Sequence, residues 1–317
     1  MVNIKIPNID DILKAAERIE PFAKKTPVLT SRSINAICNA EIYFKCENFQ
    51  KVGAFKFRGA TNAVFSLTNE DAMKGVATHS SGNHAQALAL AAKIRGIKAS
   101  IVMPENSTKV KIDAVKGYGA DVIFCEATLQ ARESTLEKVI NEKGSTFIHP
   151  YDNYNVIAGA GTSALELLKE IPNLDYVITP VGGGGLLSGT SISVKALSPN
   201  TKVVAAEPEG ADDAYRSLLA GKIIPSVKPK TICDGLLTSL SERTFKIISQ
   251  NVSEIVTVSD DDTIRAMKLI WERMKIIVEP SSATALGIIL GGKIDLTGKS
   301  IGVIISGGNV DLERLPW

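Results

Sequence analysis

The stretch YVITPVGGGGLLSG, residues 176–189, decides the fold. Apolar and β-branched residues over 176–181 predict a short buried strand. Gly182, Gly183, Gly184 and Gly185 follow, and an apolar pattern to about Leu197 predicts a helix. Strand, glycine loop and helix in that order form the repeating unit of a parallel α/β sheet. In such sheets ligands lie beyond the carboxyl ends of strands. Backbone N–H groups at the following helix start attract anions. The loop does not fit G-x-G-x-x-G, because a Leu or Ser falls where the third Gly is needed, and no G-K-[ST] ending of a P-loop follows. The motif therefore reads as a compact phosphate cradle. A purely structural tight turn is the alternative, disfavoured by the entropic cost of four glycines in a row.

The same grammar extends in both directions. Strands are expected at Glu41–Cys46, 75–79, 99–103, Asp121–Cys125, 146–149, 202–207, Glu254–Val258 and Ser300–Ile305. Helices are expected between them, the first capped by Asn8 or Asp10 and running to about Glu20. The expected fold is α/β, with two domains built on parallel-sheet cores. Four short strand–helix pairs suggest a small domain, residues 73–152, inserted into a large one of residues 1–72 and 153–317.

A second informative stretch is KVGAFKFRGA, residues 51–60. Lys56 stands between Phe55 and Phe57 where a helix pattern begins. Burial and the positive end of the helix dipole both disfavour its charged form. A neutral amine is the nucleophile that makes a Schiff base. The plainer alternative is a lysine that reaches out to water between two core rings. Two further strand ends carry small polar clusters, SSGNH at 80–84 and SGGN at 306–309. The first also suits a helix cap. The loop EPEGADD, residues 207–213, brings acids around a glycine turn after a strand. It reads either as an oxygen-ligand cation site or as a solvated acidic helix start, and residue chemistry alone favours the second.

Composition excludes several classes. With 36 basic and 34 acidic residues the net charge is +2, which gives no electrostatic case for nucleic acid. No apolar run of about 18 residues appears, so no membrane span is expected. The N-terminal residues MVNIKIPNIDDILK lack the basic flank and long apolar run of a signal peptide. Cys38, Cys46, Cys125 and Cys233 form no C-x-x-C pair and read as reduced thiols, which points to the cytoplasm. The histidines are His79, His84 and His149, with no H-E-x-x-H, so a zinc hydrolase is not expected.

Taken in order, GAFKFRG, SSGNH, GGGGLLSG and SGGN resemble the motifs of fold-type II pyridoxal-phosphate enzymes, and among them the serine racemase and serine/threonine dehydratase family. The resemblance runs from Thr26-Pro27 to Asn309. It implies that Lys56 holds pyridoxal 5'-phosphate as a Schiff base. It implies Phe55 against one face of the cofactor ring, Gly235 on the other and Glu279 nearby. It implies Gly182 to Gly185 around the phosphate, Asn83 at the phenolic oxygen and Ser306 at the pyridine nitrogen. Ser80, Ser81, Gly82, Asn83 and His84 would bind the substrate carboxylate, with Arg132 helping to close over it. A serine at the ring nitrogen does not enforce protonation, so the cofactor is a weaker electron sink. With the family in view the acidic loop changes meaning: Glu207, Asp213 and the Ala211 carbonyl match a site for Mg²⁺, Ca²⁺ or Mn²⁺. Lys51, Gln86, Tyr118 and Asn309 match positions that bind ATP as an effector in some members. Val52 departs there from a threonine, and Ser281-Ser282-Ala283 departs from a stretch that often includes glycine. The chain ends at Trp317, without room for the regulatory domain of many threonine dehydratases.

The expected activity is serine racemisation with elimination of serine to pyruvate and ammonia, in a homodimer acting on a small amino acid. Lys56 and Ser81 are the expected acid–base pair, one on each face of the substrate. The rivals are a dehydratase for L-serine, L-threonine or threo-3-hydroxyaspartate without racemase activity, and a non-catalytic sensor of the cofactor or an amino acid.

Overall fold

Valine, isoleucine and alanine runs without polar alternation form strands covered on both faces. The computed structural model, which describes residues 4–317, buries its central strands in that way. Residues 1–3, which open the expected large domain, lie outside that range. One sheet has six strands in the order β1 (Val28–Thr30), β2 (Glu41–Cys46), β10 (Ser300–Ile305), β7 (Tyr176–Pro180), β8 (Lys202–Pro208) and β9 (Glu254–Val258). Only β1 runs antiparallel to its neighbour. A separate four-stranded parallel sheet has the order β5 (Asp121–Cys125), β4 (Ala99–Pro104), β3 (Val76–His79) and β6 (Thr146–Phe147).

The helices that connect and cover these strands begin with α1 (Ile9–Ile19), α2 (Arg32–Cys38), α3 (Lys56–Phe65) and α4 (Asn69–Met73). α5 (Asn83–Arg95), α6 (Lys109–Gly117) and α7 (Leu129–Lys143) flank the smaller sheet. α8 (Tyr154–Glu170), α9 (Gly185–Leu197), α10 (Asp213–Ala220), α11 (Glu242–Asn251), α12 (Asp260–Met274) and α13 (Pro280–Leu290) complete the larger unit. Asn8 caps α1 through a reciprocal capping box with Asp11. Gly96 ends α5 in the left-handed region, as its position after the apolar pattern predicts.

β2, β5, β9 and β10 occupy the residues expected. β6 stops at Phe147, two residues before the expected His149, although Ile148 still donates to the Ala77 carbonyl at 2.9 Å. The expectations omit β1, α2 and α4. β1 has three residues and α4 five, too few for a period to show. α2 buries only Ile34, so it has no apolar stripe.

Three helices set the geometry of the interior. α8 lies between α3 and α9 and is buried along most of its length. A Cβ at Gly159 would fall 2.7 Å from the Gly59 Cα, and one at Gly189 would fall 2.5 Å from the Gly161 nitrogen. Glycine against glycine brings the three backbones together at both seams. α3 also shares an apolar cluster with the smaller sheet, through Phe57, Ala60 and Val64 against Leu88, Ile101 and Met103. Lys56 therefore stands at the junction between the two sheets.

Candidate active site

Lys56 is the first residue of α3, and Phe55 before it offers no side-chain cap. The end of β10 holds this start instead. The Phe55 N–H donates to the Ser306 carbonyl at 2.9 Å, and Ala54 bridges Gly307. Upstream, Val52 takes φ +57°, costly for a β-branched residue; its carbonyl accepts from Asn309 Nδ2 at 2.7 Å. Lys56 Nζ donates to the Pro150 carbonyl at 2.9 Å and lies 5.1 Å from the Phe55 ring centre. Burial pushes its pKa down to about 8, against the pull of the Glu279 carboxylate. A neutral amine is thus within reach near neutral pH, as its place between two rings predicts.

The glycine loop closes against two segments. A Cβ on Gly182 would meet the Leu236 Cα at 2.8 Å, and one on Gly183 would enter the Tyr151 ring. Gly184 has φ +83° and gives α9 no side-chain cap, so the first N–H groups of that helix stay free for an anion. In the same turn the buried Ser188 hydroxyl has no partner among the described residues. Gly235 adjoins this loop and donates its N–H to Ser281 Oγ at 3.1 Å.

Asn83, Glu279 and Asn309 form one network. Asn83 Nδ2 donates to both Glu279 oxygens at 3.0 and 3.1 Å, and its Oδ1 accepts from Asn309 Nδ2 at 2.8 Å. These contacts fix the amide's orientation. Burial raises Glu279 to about 7, with the Asn83 bond opposing. Ser306, 4% exposed, meets Ser282 Oγ at 2.9 Å, and Ser282 is tied to both the N–H and the carbonyl of Gly307.

The SSGNH loop follows β3. Ser80 donates its backbone N–H to the Val102 carbonyl at 3.1 Å. Ser81 is half-buried, and a Cβ on Gly82 would meet nothing within 4 Å, so the loop borders open space. His84 is the buried member of this loop. It is 2% exposed and its Nε2 donates to the Ile148 carbonyl at 3.0 Å. Its unpartnered Nδ1 is an acceptor, and burial beside Lys56 holds its pKa at about 3. A neutral ring of that tautomer cannot donate to a carboxylate, so any such contact from residue 84 must come from its backbone. Arg132 is half-buried and bonds within its own helix, to the Thr128 carbonyl; its charge helps burial hold His79 below its usual value.

The sequence excludes a zinc hydrolase and puts His84 at the substrate carboxylate, but gives no sign that His79 and His149 meet in one chain of rings. His79, Phe147, His149 and Tyr151 form a chain of ring contacts, with His149 and Tyr151 centres 4.5 Å apart. His149 Nδ1 accepts the N–H groups of Tyr151 and Asp152 at 3.2 and 2.8 Å. The same Tyr151 ring forms the back of the glycine loop. Spacing along the chain carries no sign of this, because the contacts join the end of one sheet to the loop of the other.

At the acidic loop, Glu207 caps α10: its two oxygens accept the N–H groups of Ala214 and Tyr215 at 2.8 and 2.7 Å. Asp213 is 1% exposed, and neither carboxylate oxygen has a partner among the described residues. Burial raises Glu207 to about 8 and Asp213 to about 6. Two buried carboxylates, one without a donor, fit a cation that backbone oxygen completes. Among the described residues no group of three or more His, Cys, Asp or Glu could hold a metal. Of the residues matched to a nucleotide effector, Lys51 lies over the Phe57 ring at 5.5 Å, Tyr118 packs on the same apolar cluster and Asn309 reaches Asn83. Gln86 is half-buried on α5, against which the turn at 51–53 packs.

A buried lysine of depressed basicity beside Pro150, and a glycine loop packed on the neighbouring Tyr151, fit the class of enzyme that anchors a phosphorylated aldehyde cofactor. Residues 19–307 match the pyridoxal-phosphate dependent enzyme family, and the chain belongs to it. It is 55% identical to the serine racemase of Dictyostelium discoideum over 97% of this chain and 96% of that protein. It is 51% identical to the beta-hydroxyaspartate dehydratase of Paracoccus denitrificans, over 98% of this chain and 99% of the relative. The crystal structure of the Dictyostelium discoideum serine racemase superposes with a TM-score of 0.93, covering 96% of this chain and 99% of that one. The fold is that of the fold-type II pyridoxal-phosphate enzymes.

Proposed function

We propose that this enzyme interconverts L- and D-serine and also converts serine to pyruvate and ammonia. The observation that carries the reading is the likeness to a serine racemase over nearly the full length of both chains, with Lys56, Ser81 and Ser306 all present. Pyridoxal phosphate, when bound, acidifies the α-proton of an amino acid. Lys56 would hold the cofactor and move that proton on one face. Ser81, on the loop beside open space, would hold or deliver a proton on the other. Gly182 to Gly185 would bind the phosphate, Asn83 the phenolic oxygen, Phe55, Gly235 and Glu279 the ring surroundings, and Ser306 the ring nitrogen. Backbone N–H groups of residues 80–84 would take the substrate carboxylate, with Arg132 closing over it. Loss of the α-proton and the β-hydroxyl gives an enamine, and water then releases pyruvate and ammonia.

Several finer features belong to the same proposal. Glu207, Asp213 and the Ala211 carbonyl would hold Mg²⁺, Ca²⁺ or Mn²⁺ as a structural ion, supported by the partnerless Asp213 oxygens. Residues 73–152 would form a domain that closes on the larger one. The Lys111–Asp234 ion pair, 2.7 Å across the cleft beside Gly235, would favour the closed form. A homodimer, cytoplasmic location and ATP as an effector near Lys51, Gln86, Tyr118 and Asn309 complete the reading. Dehydration of 3-hydroxyaspartate is the second reading, favoured by the likeness to the Paracoccus denitrificans enzyme. Chiral analysis of products from L-serine, L-threonine and threo-3-hydroxyaspartate, with and without Mg²⁺, separates the two. D-serine from L-serine supports the first; keto acid from hydroxyaspartate with no D-serine supports the second.

A further inference from the structure

Two residues beyond Lys56, Arg58 enters a buried ionic cluster that the site itself does not use. Its side chain is fully buried and its guanidinium meets two carboxylates, each through a pair of bonds. Nε and Nη2 donate to Glu47 at 2.7 and 2.9 Å, and Nη1 and Nη2 donate to Glu166 at 2.7 and 2.8 Å. Nη1 also reaches Thr162 Oγ1 at 3.2 Å, and Nη2 reaches the Lys24 carbonyl at 3.2 Å. Lys45, also fully buried, donates to Glu166 at 2.6 Å and to the Thr26 carbonyl at 2.7 Å. Thr26 Oγ1 completes Glu47 with a bond of 2.5 Å. Two cations and two anions balance, and the paired donors fix direction as well as distance.

The cluster joins three segments to α3: the end of β2, the loop at 24–26 and α8. A helix turns about 100° per residue, so Arg58 projects roughly 200° away from Lys56. Phe57 between them enters the apolar cluster of the smaller sheet. Holding Arg58 on the far side therefore fixes the rotation of the first turn that carries Lys56. That turn has no side-chain cap to do so. Beside it, Gly59 packs so closely that a Cβ would fall 2.7 Å from the Val156 carbonyl on α8. α8 in turn meets α9, which begins at the glycine loop. The ionic cluster thus sits on the mechanical link between the amine and the phosphate cradle.

We infer that Arg58, clamped by Glu47 and Glu166, is a positioning residue that aims the Lys56 amine relative to the glycine loop. The inference rests on Lys56 as the cofactor's anchor. A buried ion pair is often a poor source of net stability, so orientation is the more fitting role for this one. A misplacement of about 1 Å at a reacting atom costs on the order of a hundredfold. The amine must meet an aldehyde whose position the phosphate cradle sets, so such an error affects imine formation and not phosphate binding.

The test compares two ligands on cofactor-depleted protein: pyridoxal phosphate, which can join Lys56, and pyridoxine phosphate, which has no aldehyde and cannot. Arg58→Lys keeps the charge and loses the fork. Glu166→Gln, at a residue 22% exposed, loosens the far leg of the clamp with less risk to folding. In variants whose circular dichroism matches the parent, affinity for pyridoxal phosphate should fall at least tenfold while that for pyridoxine phosphate changes less than threefold. In the loaded enzyme kcat should fall with KM for serine nearly unchanged. Equal loss for both ligands, or a lower melting temperature with no change for either, overturns the inference and leaves Arg58 a structural residue. Lys56→Ala is the reference: if it still prefers pyridoxal phosphate over pyridoxine phosphate as the parent does, the anchor assignment fails instead.

Discussion

Alanine at Gly183 would add one methyl group to the floor of the glycine loop. An ideal Cβ there falls 2.5 Å from both Cε1 and Cγ of Tyr151, where ordinary carbon contacts are about 3.5–4.0 Å. The ring must retreat by about 1 Å, or the loop must rise by as much. The ring has little freedom, since His149 packs edge-on against it at 4.5 Å and accepts the Tyr151 N–H. Overpacking of this kind costs about 1–3 kcal/mol, a fall in Tm of roughly 2–5 °C for a chain of this length. Raising the loop also pulls a backbone N–H away from the phosphate. A hydrogen bond to a charged group is worth about 1.5–3 kcal/mol, so pyridoxal phosphate should bind roughly 10- to 100-fold more weakly. Titrating cofactor-depleted protein and following visible absorbance measures the affinity, and a thermal scan measures the stability. Gly117→Ala is the control, because a Cβ there meets nothing within 4 Å. A Gly183→Ala protein with cofactor affinity within threefold of the parent and an unchanged Tm would refute the packing argument.

Gly82→Ala should leave Tm unchanged and raise KM for serine severalfold, since its Cβ meets no protein atom and would point into space meant for substrate; steady-state kinetics with an unaltered KM speaks against that placement. Lys56 titrates at about 8 in the fold against 10.5 for the ordinary side chain. Between those values the unfolded chain holds more protons, so this residue makes cofactor-free protein more stable as pH rises. Buried Cys46 and Cys233, raised to about 12, act in the opposite sense above about 9. The parent must therefore be compared with Lys56→Met: its stability relative to that variant should grow from pH 8 to 10, and a flat difference in chemical denaturation contradicts the shift. If the proposed ion site exists, Mg²⁺ should raise the Tm of the parent by the mass action of binding to the native state, and should leave that of Asp213→Asn unchanged. Glu207→Ala is a poorer test because it also removes the cap of α10. A Mg²⁺ response retained in Asp213→Asn rejects the ion site.

The central strands β4, β7, β8 and β10 were legible because both of their faces are covered, so each reads as a largely apolar run. The glycine loop and Lys56 were legible for a chemical reason: four glycines and a ring-flanked cation are costly features that folding alone does not require. β1 and α2 were not legible, being too short or too exposed to carry a period. The inward turn of the His84 side chain has a physical source. Asn83 and His84 are adjacent in sequence, but they open a helix, where successive side chains diverge by about 100°. One side chain meets Glu279 across the cleft, and the other turns inward to the Ile148 carbonyl. The histidine–tyrosine chain and the Arg58 clamp were hidden because each depends on a contact between residues distant in sequence, His79 with Phe147 and Arg58 with Glu166.

The central claim is proton transfer on both faces of the substrate, by Lys56 and by Ser81. A single base returns the proton to the face from which it came, so racemisation requires the second group. Ser81→Ala, assayed with each serine enantiomer by chiral chromatography and pyruvate release, tests this directly. The account predicts that elimination from L-serine, served by Lys56, largely survives. Racemisation in both directions and elimination from D-serine should fall by roughly a hundredfold or more, the size of a lost acid–base group. A Ser81→Ala enzyme that still makes D-serine from L-serine at near the parent rate would contradict it.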